Sequence, residues 1–306
     1  MDDSCAVTGA FGFTGAHIAR RLLAAGKRVK TLTRRPDHGG PLASEIDVAP
    51  LDFEDPGALT RELEGIQVLY NTYWIRFPRG SATFDGAVEN TRTLIRAAVG
   101  AGVEKIVHVG ITNASADSPL PYFRGKGLVE EAVRDSGLSH AIVNPTIIFG
   151  PGDVLINNIA WLLRRSPVFA IPGAGPKRIQ PVFVEDVADI AVNAAERAGS
   201  VEIDAVGPDV FTFEEMVRLI AAKVGSGAKL VHASPGVVHL LARMLGLLVR
   251  DVVLTRDETA GLSASLLVSD GPATGTTRLS DWLEQNRRTV GTSYASELRR
   301  HYRQPS

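Results

Sequence analysis

Three glycines near the start of the chain stand at Gly-x-x-Gly-x-x-Gly spacing, within Thr8-Gly9-Ala10-Phe11-Gly12-Phe13-Thr14-Gly15. An apolar run precedes them and a helical pattern follows, so the segment reads as a strand turning into a helix. Gly9 lets the chain turn sharply, Gly12 lets backbone approach a pyrophosphate, and Gly15 lets helix and strand pack closely, with helix-end N–H groups aimed at the anion. Gly9, Phe11, Gly12, Phe13 and Gly15 are therefore candidate contacts to a dinucleotide. A glycine-rich turn that merely joins two elements is the plainer alternative, and the flanking strand and helix weigh against it. The next apolar run ends at Thr31-Leu32-Thr33-Arg34-Arg35, where an NAD-specific protein usually presents an acid to the ribose 2′-hydroxyl. A guanidinium pairs instead with a phosphate and stacks on adenine, so Arg34 and Arg35 favour the 2′-phosphate of NADP(H) over NAD(H). The alternative is a solvated loop. After a further short strand, Asp52 would accept from the adenine amino group, or else cap a helix, and Phe53 would pack beside the ring. Asn71, Thr72 and Tyr73 close a fourth strand, and ligands of parallel sheets sit at such carboxyl ends.

A second constellation is Tyr122-Phe123-Arg124-Gly125-Lys126, preceded by Gly110-Ile111-Thr112-Asn113 after a fifth strand. If Tyr122 opens a helix, Lys126 lies one turn later on the same face, where its ammonium favours phenolate and lowers the pKa of the tyrosine. That makes a general acid/base usable near neutral pH, and Thr112 would supply a hydroxyl to orient a carbonyl or alcohol. A Tyr and a Lys four residues apart are common by chance. Their place after the fifth strand of a dinucleotide fold is what favours the catalytic reading.

These residues need a parallel sheet to hold them. Six strands can be placed, at Cys5-Thr8, Val29-Thr33, Asp47-Leu51, Val68-Asn71, Ile106-Val109 and Ala141-Val143, with helices at Ala16-Ala25, Thr91-Val99 and Leu128-Ser136 between some of them. The alternation predicts an α/β fold, a Rossmann-type doubly wound parallel sheet with a smaller, mainly helical C-terminal substrate lobe. Residues 1–150 would form the nucleotide-binding domain, with a return at about 178–205, where Pro181-Glu196 reads as a strand edge and a helix. Pro and Gly cluster at Gly150-Gly152 and Ile171-Pro176, which assigns 151–177 and 206–306 to the second lobe.

The 306 residues are 44% hydrophobic and 22% charged, ordinary for a globular protein with a sizeable core. Thirty-three Lys and Arg against 34 Asp and Glu give a net charge of -1, so no global field recruits nucleic acid. Cys5 is the single cysteine, which excludes an intrachain disulfide and fits a reducing compartment. Asp2 and Asp3 run straight into an apolar strand with no basic region, and a cytoplasmic protein is expected. Val237 to Val249, interrupted by His239 and Arg243, is shorter than the about 20 apolar residues that span a bilayer and reads as a buried or lid-like amphipathic helix in preference to a membrane-surface one. His17, His38, His108, His140, His232, His239 and His301 form no ligand cluster, and no metal site is expected. No Gly-x-Ser-x-Gly elbow supports hydrolase chemistry. Asn157 to Arg165 reads as a helix that walls a substrate pocket or packs the lobe. Trp161, Trp282 and Tyr294 are read as packing aromatics, and Asp186 as a helix anchor.

Taken together, the chain resembles the extended and atypical short-chain dehydrogenases/reductases, which include nucleotide-sugar epimerases and dehydratases. The resemblance rests on the glycine turn, on Tyr122-x-x-x-Lys126, on Asn144-Pro145-Thr146-Ile147-Ile148-Phe149-Gly150-Pro151-Gly152-Asp153 and on Pro181-Val182-Phe183-Val184-Glu185-Asp186-Val187-Ala188. It implies Thr112, Tyr122 and Lys126 as the catalytic trio, with Lys126 also holding the nicotinamide ribose. It further implies that the loop from Pro145 through Ile147 and Ile148 touches the nicotinamide carboxamide, and that Asn90 is a structural helix asparagine. Gly110 and Ile111 stand where epimerases often carry serines, and Asn144 replaces a frequent arginine. The expectation is an NADP(H)-dependent oxidoreductase or epimerase/dehydratase-like enzyme acting on a small-molecule substrate. The alternative is a non-catalytic NADPH-binding scaffold, as in the similar accessory subunit of respiratory complex I, or a redox-responsive interaction protein.

Overall fold

The computed structural model describes residues 4–35, 41–173 and 177–298, which leaves His38 and His301 outside the described residues. In chain order the elements are β1 Ser4–Thr8, α1 Phe13–Ala24, β2 Arg28–Thr33, β3 Asp47–Pro50, α2 Pro56–Leu63, β4 Val68–Asn71, α3 Phe84–Gly100, β5 Lys105–Val109, α4 Pro121–Arg134 and β6 Ser139–Pro145. They continue with β7 Ile148–Phe149, α5 Leu155–Leu163, β8 Val168–Pro172, β9 Arg178–Ile179, β10 Val182–Phe183, α6 Val184–Glu196 and β11 Val201–Ala205. The last are β12 Phe211–Thr212, α7 Phe213–Val224, β13 Lys229–Ala233, α8 Pro235–Val249, α9 Arg256–Ser263 and α10 Leu279–Asn286. The chain divides into two compact units, Met1–Pro145 with Val184–Ala205, and Thr146–Phe183 with Val206–Ser306.

The first unit is built on a seven-stranded sheet in the order β11-β6-β5-β4-β1-β2-β3, every neighbouring pair parallel. This is the expected Rossmann-type core. The β-branched and apolar runs of β1, β5 and β6 are buried on both faces because helices cover both sides. Leu59, Leu63, Leu69, Leu94, Ile106 and Ile142 lie at the centre of one cluster between sheet and helices. The strand order reverses between β1 and β4, and ligands bind at the carboxyl ends of the strands on either side of such a switch.

α3 and α4 begin seven residues ahead of the apolar periodicity that marks them, and both starts have a local cause. Thr83 caps α3 by accepting from the Gly86 N–H at 3.0 Å, and Pro121 sits in the first turn of α4. β11, absent from the six expected strands, pairs with β6 along its whole length. Its sequence, Val-Glu-Ile-Asp-Ala, alternates as an edge strand does.

The second unit gathers α5, α7 and α10 around Phe149, Ile156, Ile220, Trp282 and Leu283, with two-stranded ladders β7–β10, β9–β12 and β8–β13. Asp153, buried at the start of α5, accepts from the backbone of Ile156 at 2.7 Å and of Asn157 at 3.2 Å, which satisfies two N–H groups of the first turn. Trp282 is buried, and Trp161 meets Tyr294 edge-on at 5.3 Å, so these rings pack the unit. α8 forms where an amphipathic helix was expected, but burial fails: of its residues Val238 alone is buried, Leu245 and Val249 are half-buried, and Val237, Leu240, Leu241, Met244, Leu247 and Leu248 are exposed. No helix of the described residues is long and apolar enough to cross a membrane.

Candidate functional site

The glycine turn is built as its spacing requires. Gly9 takes φ +70°, which an L side chain rarely adopts, and its N–H donates to the Leu32 carbonyl at 2.9 Å. A Cβ on Gly15 would stand 2.3 Å from the Gly9 carbonyl oxygen, so only glycine lets α1 approach the turn. Gly12 is the N-cap of α1. It offers no side-chain cap, and no acid lies in the first turn, so the positive end of the helix is left for an anion. Phe11 and Phe13 flank it half-buried, the latter with its ring edge-on to His17 at 5.8 Å.

Thr8, quoted from the sequence as the residue ahead of the glycines but given no role of its own, ties this turn to β4. Its hydroxyl donates to Asn71 Oδ1 at 3.1 Å and accepts from the N–H groups of Thr72 at 2.8 Å and Tyr73 at 3.0 Å. Thr72 returns the bond from its hydroxyl to the Thr8 carbonyl. Asn71 is fully buried, and its amide nitrogen donates to Nδ1 of His108 at 3.1 Å. The expectation that Asn71 lines the ligand trough therefore needs correcting, because its side chain is spent beneath the trough in holding the strand ends together. His108 is itself completely buried and held well below the usual imidazole range, chiefly by desolvation and then by Lys126, so it is neutral.

Two aromatic residues in succession join the rest of the site. Tyr73 packs on Phe53 at 4.8 Å between centroids, carries the Arg34 guanidinium over its ring at 5.8 Å, and accepts from Asn90 Nδ2 at 2.9 Å. Asn90 is thus a positioning residue. Trp74, unnoticed in the sequence, stands edge-on to Tyr122 at 6.1 Å and lies beneath Lys126 Nζ at 5.0 Å. Gly125 makes this approach fit, since a Cβ there would come within 2.9 Å of the Trp74 ring. Arg34 is exposed, and Arg35 beside it is held below its usual pKa by burial and by the charge of Arg34. Asp52 is exposed and accepts from the Glu54 N–H, whereas Asp55 caps α2 through the Ala58 N–H at 2.9 Å. The helix-capping alternative for Asp52 is therefore excluded.

Tyr122 and Lys126 sit one turn apart on α4, as expected. Tyr122 is half-buried against Trp74, Phe84 and Phe123. Lys126 is 5% exposed, donates to the Val109 carbonyl at 2.9 Å, and is pushed down to about 8 by desolvation, against the opposing pull of Glu130. Thr112 is 1% exposed, and its hydroxyl donates to the Asn144 carbonyl at 2.8 Å while its N–H bonds the Pro145 carbonyl. It joins β5 to β6. Glu130, 3% exposed, is pushed up to about 7 by desolvation, with Arg134 and Lys126 pulling the other way. Its Oε1 and the Oδ1 of Asn144 are buried without hydrogen-bond partners, and a Cβ on Gly110 would meet them at 2.7 and 2.2 Å. Asn144 and Glu130 thus fill the space that a side chain at position 110 would need. In the second unit, Ile147 accepts from the Val182 N–H at 2.8 Å and Ile148 belongs to β7. No group of three or more potential metal ligands occurs among the described residues.

A parallel sheet with an uncapped glycine turn at its switch point defines an NAD(P)-binding Rossmann protein, and an NAD(P)H-binding family profile matches residues 9–153. A ceramide reductase of Caulobacter vibrioides is 32% identical over 238 residues, 76% of this chain and 74% of its own. The chain belongs to the extended, atypical short-chain dehydrogenase/reductase superfamily. Mitochondrial NADH dehydrogenase (ubiquinone) 1 alpha subcomplex subunit 9 of Arabidopsis thaliana is 24% identical over 283 residues, covering 86% of this chain and 70% of that one. The NADPH-dependent quinone oxidoreductase of Escherichia coli, solved with NADPH, shares the fold with a TM-score of 0.75 at 21% identity, over 92% of this chain and 99% of that one.

Proposed function

We propose that the protein is an NADP(H)-dependent oxidoreductase that interconverts a carbonyl and an alcohol, with Tyr122 as general acid/base. The observation that carries this reading is the buried ammonium of Lys126, one helical turn from Tyr122 and stacked on the same Trp74. A cation held at this place favours phenolate and keeps the phenol able to exchange its proton near neutral pH. When bound, the nicotinamide supplies or accepts the hydride. Arg34 and Arg35 would hold the 2′-phosphate, Gly9 to Gly15 the pyrophosphate, and Thr72 and Tyr73 the wall between them. The loop from Pro145 to Ile148 would receive the carboxamide, and Asp52 would stand at the adenine. Thr112 acts in this scheme by fixing β5 against β6, because its hydroxyl proton is already given to Asn144.

The likeness to a ceramide reductase directs the first substrate screen to long-chain carbonyl compounds. Tyr122→Phe is expected to leave NADPH affinity nearly unchanged and to lower kcat by about 10²–10⁴-fold, the usual contribution of a positioned acid/base. Unchanged turnover would overturn the assignment. A second reading, an NADPH-bound scaffold without turnover, is favoured by the likeness to the NADH dehydrogenase subunit and by the commitment of Thr112 to backbone. The two readings part at one result, since a scaffold binds NADPH and oxidises none of it with any carbonyl tested.

A further inference from the structure

The outward face of α8 has no role in the scheme above. Val237, Leu240, Leu241, Met244, Leu247 and Leu248 recur at three- and four-residue spacing and therefore form one ridge along the helix. The exposure of Met244 is 61%, of Leu247 82% and of Leu248 80%, far more than a soluble surface ordinarily shows in a contiguous stripe. Arg243 borders this ridge and Arg250 closes the helix, both exposed, and from Pro235 to Arg250 the sequence contains no Asp or Glu. The next acid, Asp251, is buried and occupied, its carboxylate accepting from the N–H groups of Glu297 and Leu298. On the Arg243 side of the ridge a cavity of about 610 Å³ is lined by Gly236, His239, Leu240, Arg243 and Thr259 among others.

We propose that α8 lies flat in the surface of an anionic membrane, its ridge among the acyl chains and Arg243 and Arg250 at the level of the phosphates. A helix of 15 residues is about 22 Å long at 1.5 Å per residue, short of the about 30 Å hydrocarbon core. It therefore rests in the interface, where apolar burial and basic side chains act together. Long arginine stems reach from the apolar layer to the headgroups, which accounts for guanidiniums beside leucines. A second copy of the chain fits less well. Two such faces brought together would oppose the like charges of Arg243 and Arg250.

The test is flotation of the purified full chain, without nucleotide or substrate, on vesicles of phosphatidylcholine alone and of phosphatidylcholine with about a quarter phosphatidylglycerol. Vesicle binding is read without turnover, so it stands or falls independently of the oxidoreductase reading. Binding to the anionic vesicles is expected to be at least about tenfold tighter than to the neutral ones and to weaken with salt. Leu247→Ser with Leu248→Ser should cut it by a further order of magnitude while NADPH binding, read by titration as a check on folding, stays unchanged. Arg243→Gln should reduce the anionic preference and leave neutral-vesicle binding as it was. Absence of binding to both vesicles would overturn the proposal. So would a concentration-dependent dimer, dissolved by the two serine substitutions, that leaves vesicles unbound.

Discussion

Individual side chains carry two testable electrostatic arguments. Arg34 is exposed above Tyr73 and forms no salt bridge among the described residues, so an anion is its natural partner. Arg34→Ala is expected to weaken NADPH binding by about 10–100-fold, the worth of a hydrogen bond to a charged group, and to leave NADH binding nearly unchanged. Calorimetry with both nucleotides decides it, and equal losses for the two would remove Arg34 from the 2′-phosphate. Glu130 makes a prediction in pH. Its folded pKa of about 7 lies above the ordinary 4.5, so the folded state binds the proton more tightly than the unfolded one. The stability this contributes is complete below about 4.5 and lost as pH rises through about 7. Lys126, lowered from 10.5 to about 8, works in the other window: it costs stability below about 8, and the cost disappears as pH rises toward 10.5. Glu130→Gln should therefore flatten the wild-type fall in stability between about pH 4.5 and 7, a slope of order 1 kcal/mol per pH unit, in denaturant melts run across that range. The geometry of the glycine turn and the placing of Tyr122 one helical turn before Lys126 were legible because residue type and spacing fix them. Thr8, Trp74 and Glu130 were not, because their roles come from neighbours 63, 48 and 14 positions away, Asn71, Tyr122 and Asn144.

Among the elements, the approach of helix to strand is the feature most exposed to test. Gly15→Ala would place a methyl 2.3 Å from the Gly9 carbonyl, a backbone atom that cannot rotate away. A loss of about 1–3 kcal/mol is expected, as for overpacking in a tight interior, together with loss of nucleotide binding, read by thermal melts with and without NADPH. Gly125→Ala is milder, because its methyl meets the edge of the Trp74 ring, a side chain that can shift. It should leave NADPH binding intact and reduce turnover by moving Trp74 against Tyr122 and Lys126, and an unchanged kcat would remove Trp74 from the site. All six strands read from the sequence form, and β1, β4, β5 and β6 were the plainest because parallel strands buried on both faces are written as largely apolar sequence, whereas β3 is an exposed edge strand with Ala49 alone buried. β11 escaped, since Glu202 and Asp204 interrupt its apolar positions at the sheet edge. Helix starts escaped for a related reason: caps such as Thr83 and first-turn residues such as Pro121 precede the periodic apolar face that marks a helix.

At the scale of the whole molecule, the first unit carries the glycine turn, Arg34, Arg35, Tyr122 and Lys126, while the second carries the outward face of α8. The periodicity of α8 was readable. Its exposure was not, because a period of 3.6 says that one face is apolar and not whether another element covers it. The reading of the first unit rests on one physical premise, that the uncapped glycine turn and the two arginines after β2 are built for a dinucleotide carrying an extra phosphate. Calorimetric titration of nucleotide-free protein with NADPH and with NADH tests that premise directly. NADPH is expected to bind at least about tenfold more tightly than NADH, the worth of one charge-assisted phosphate contact. Equal affinities, or a preference for NADH, would contradict the role given to Arg34 and Arg35, and binding of neither would contradict the nucleotide site itself.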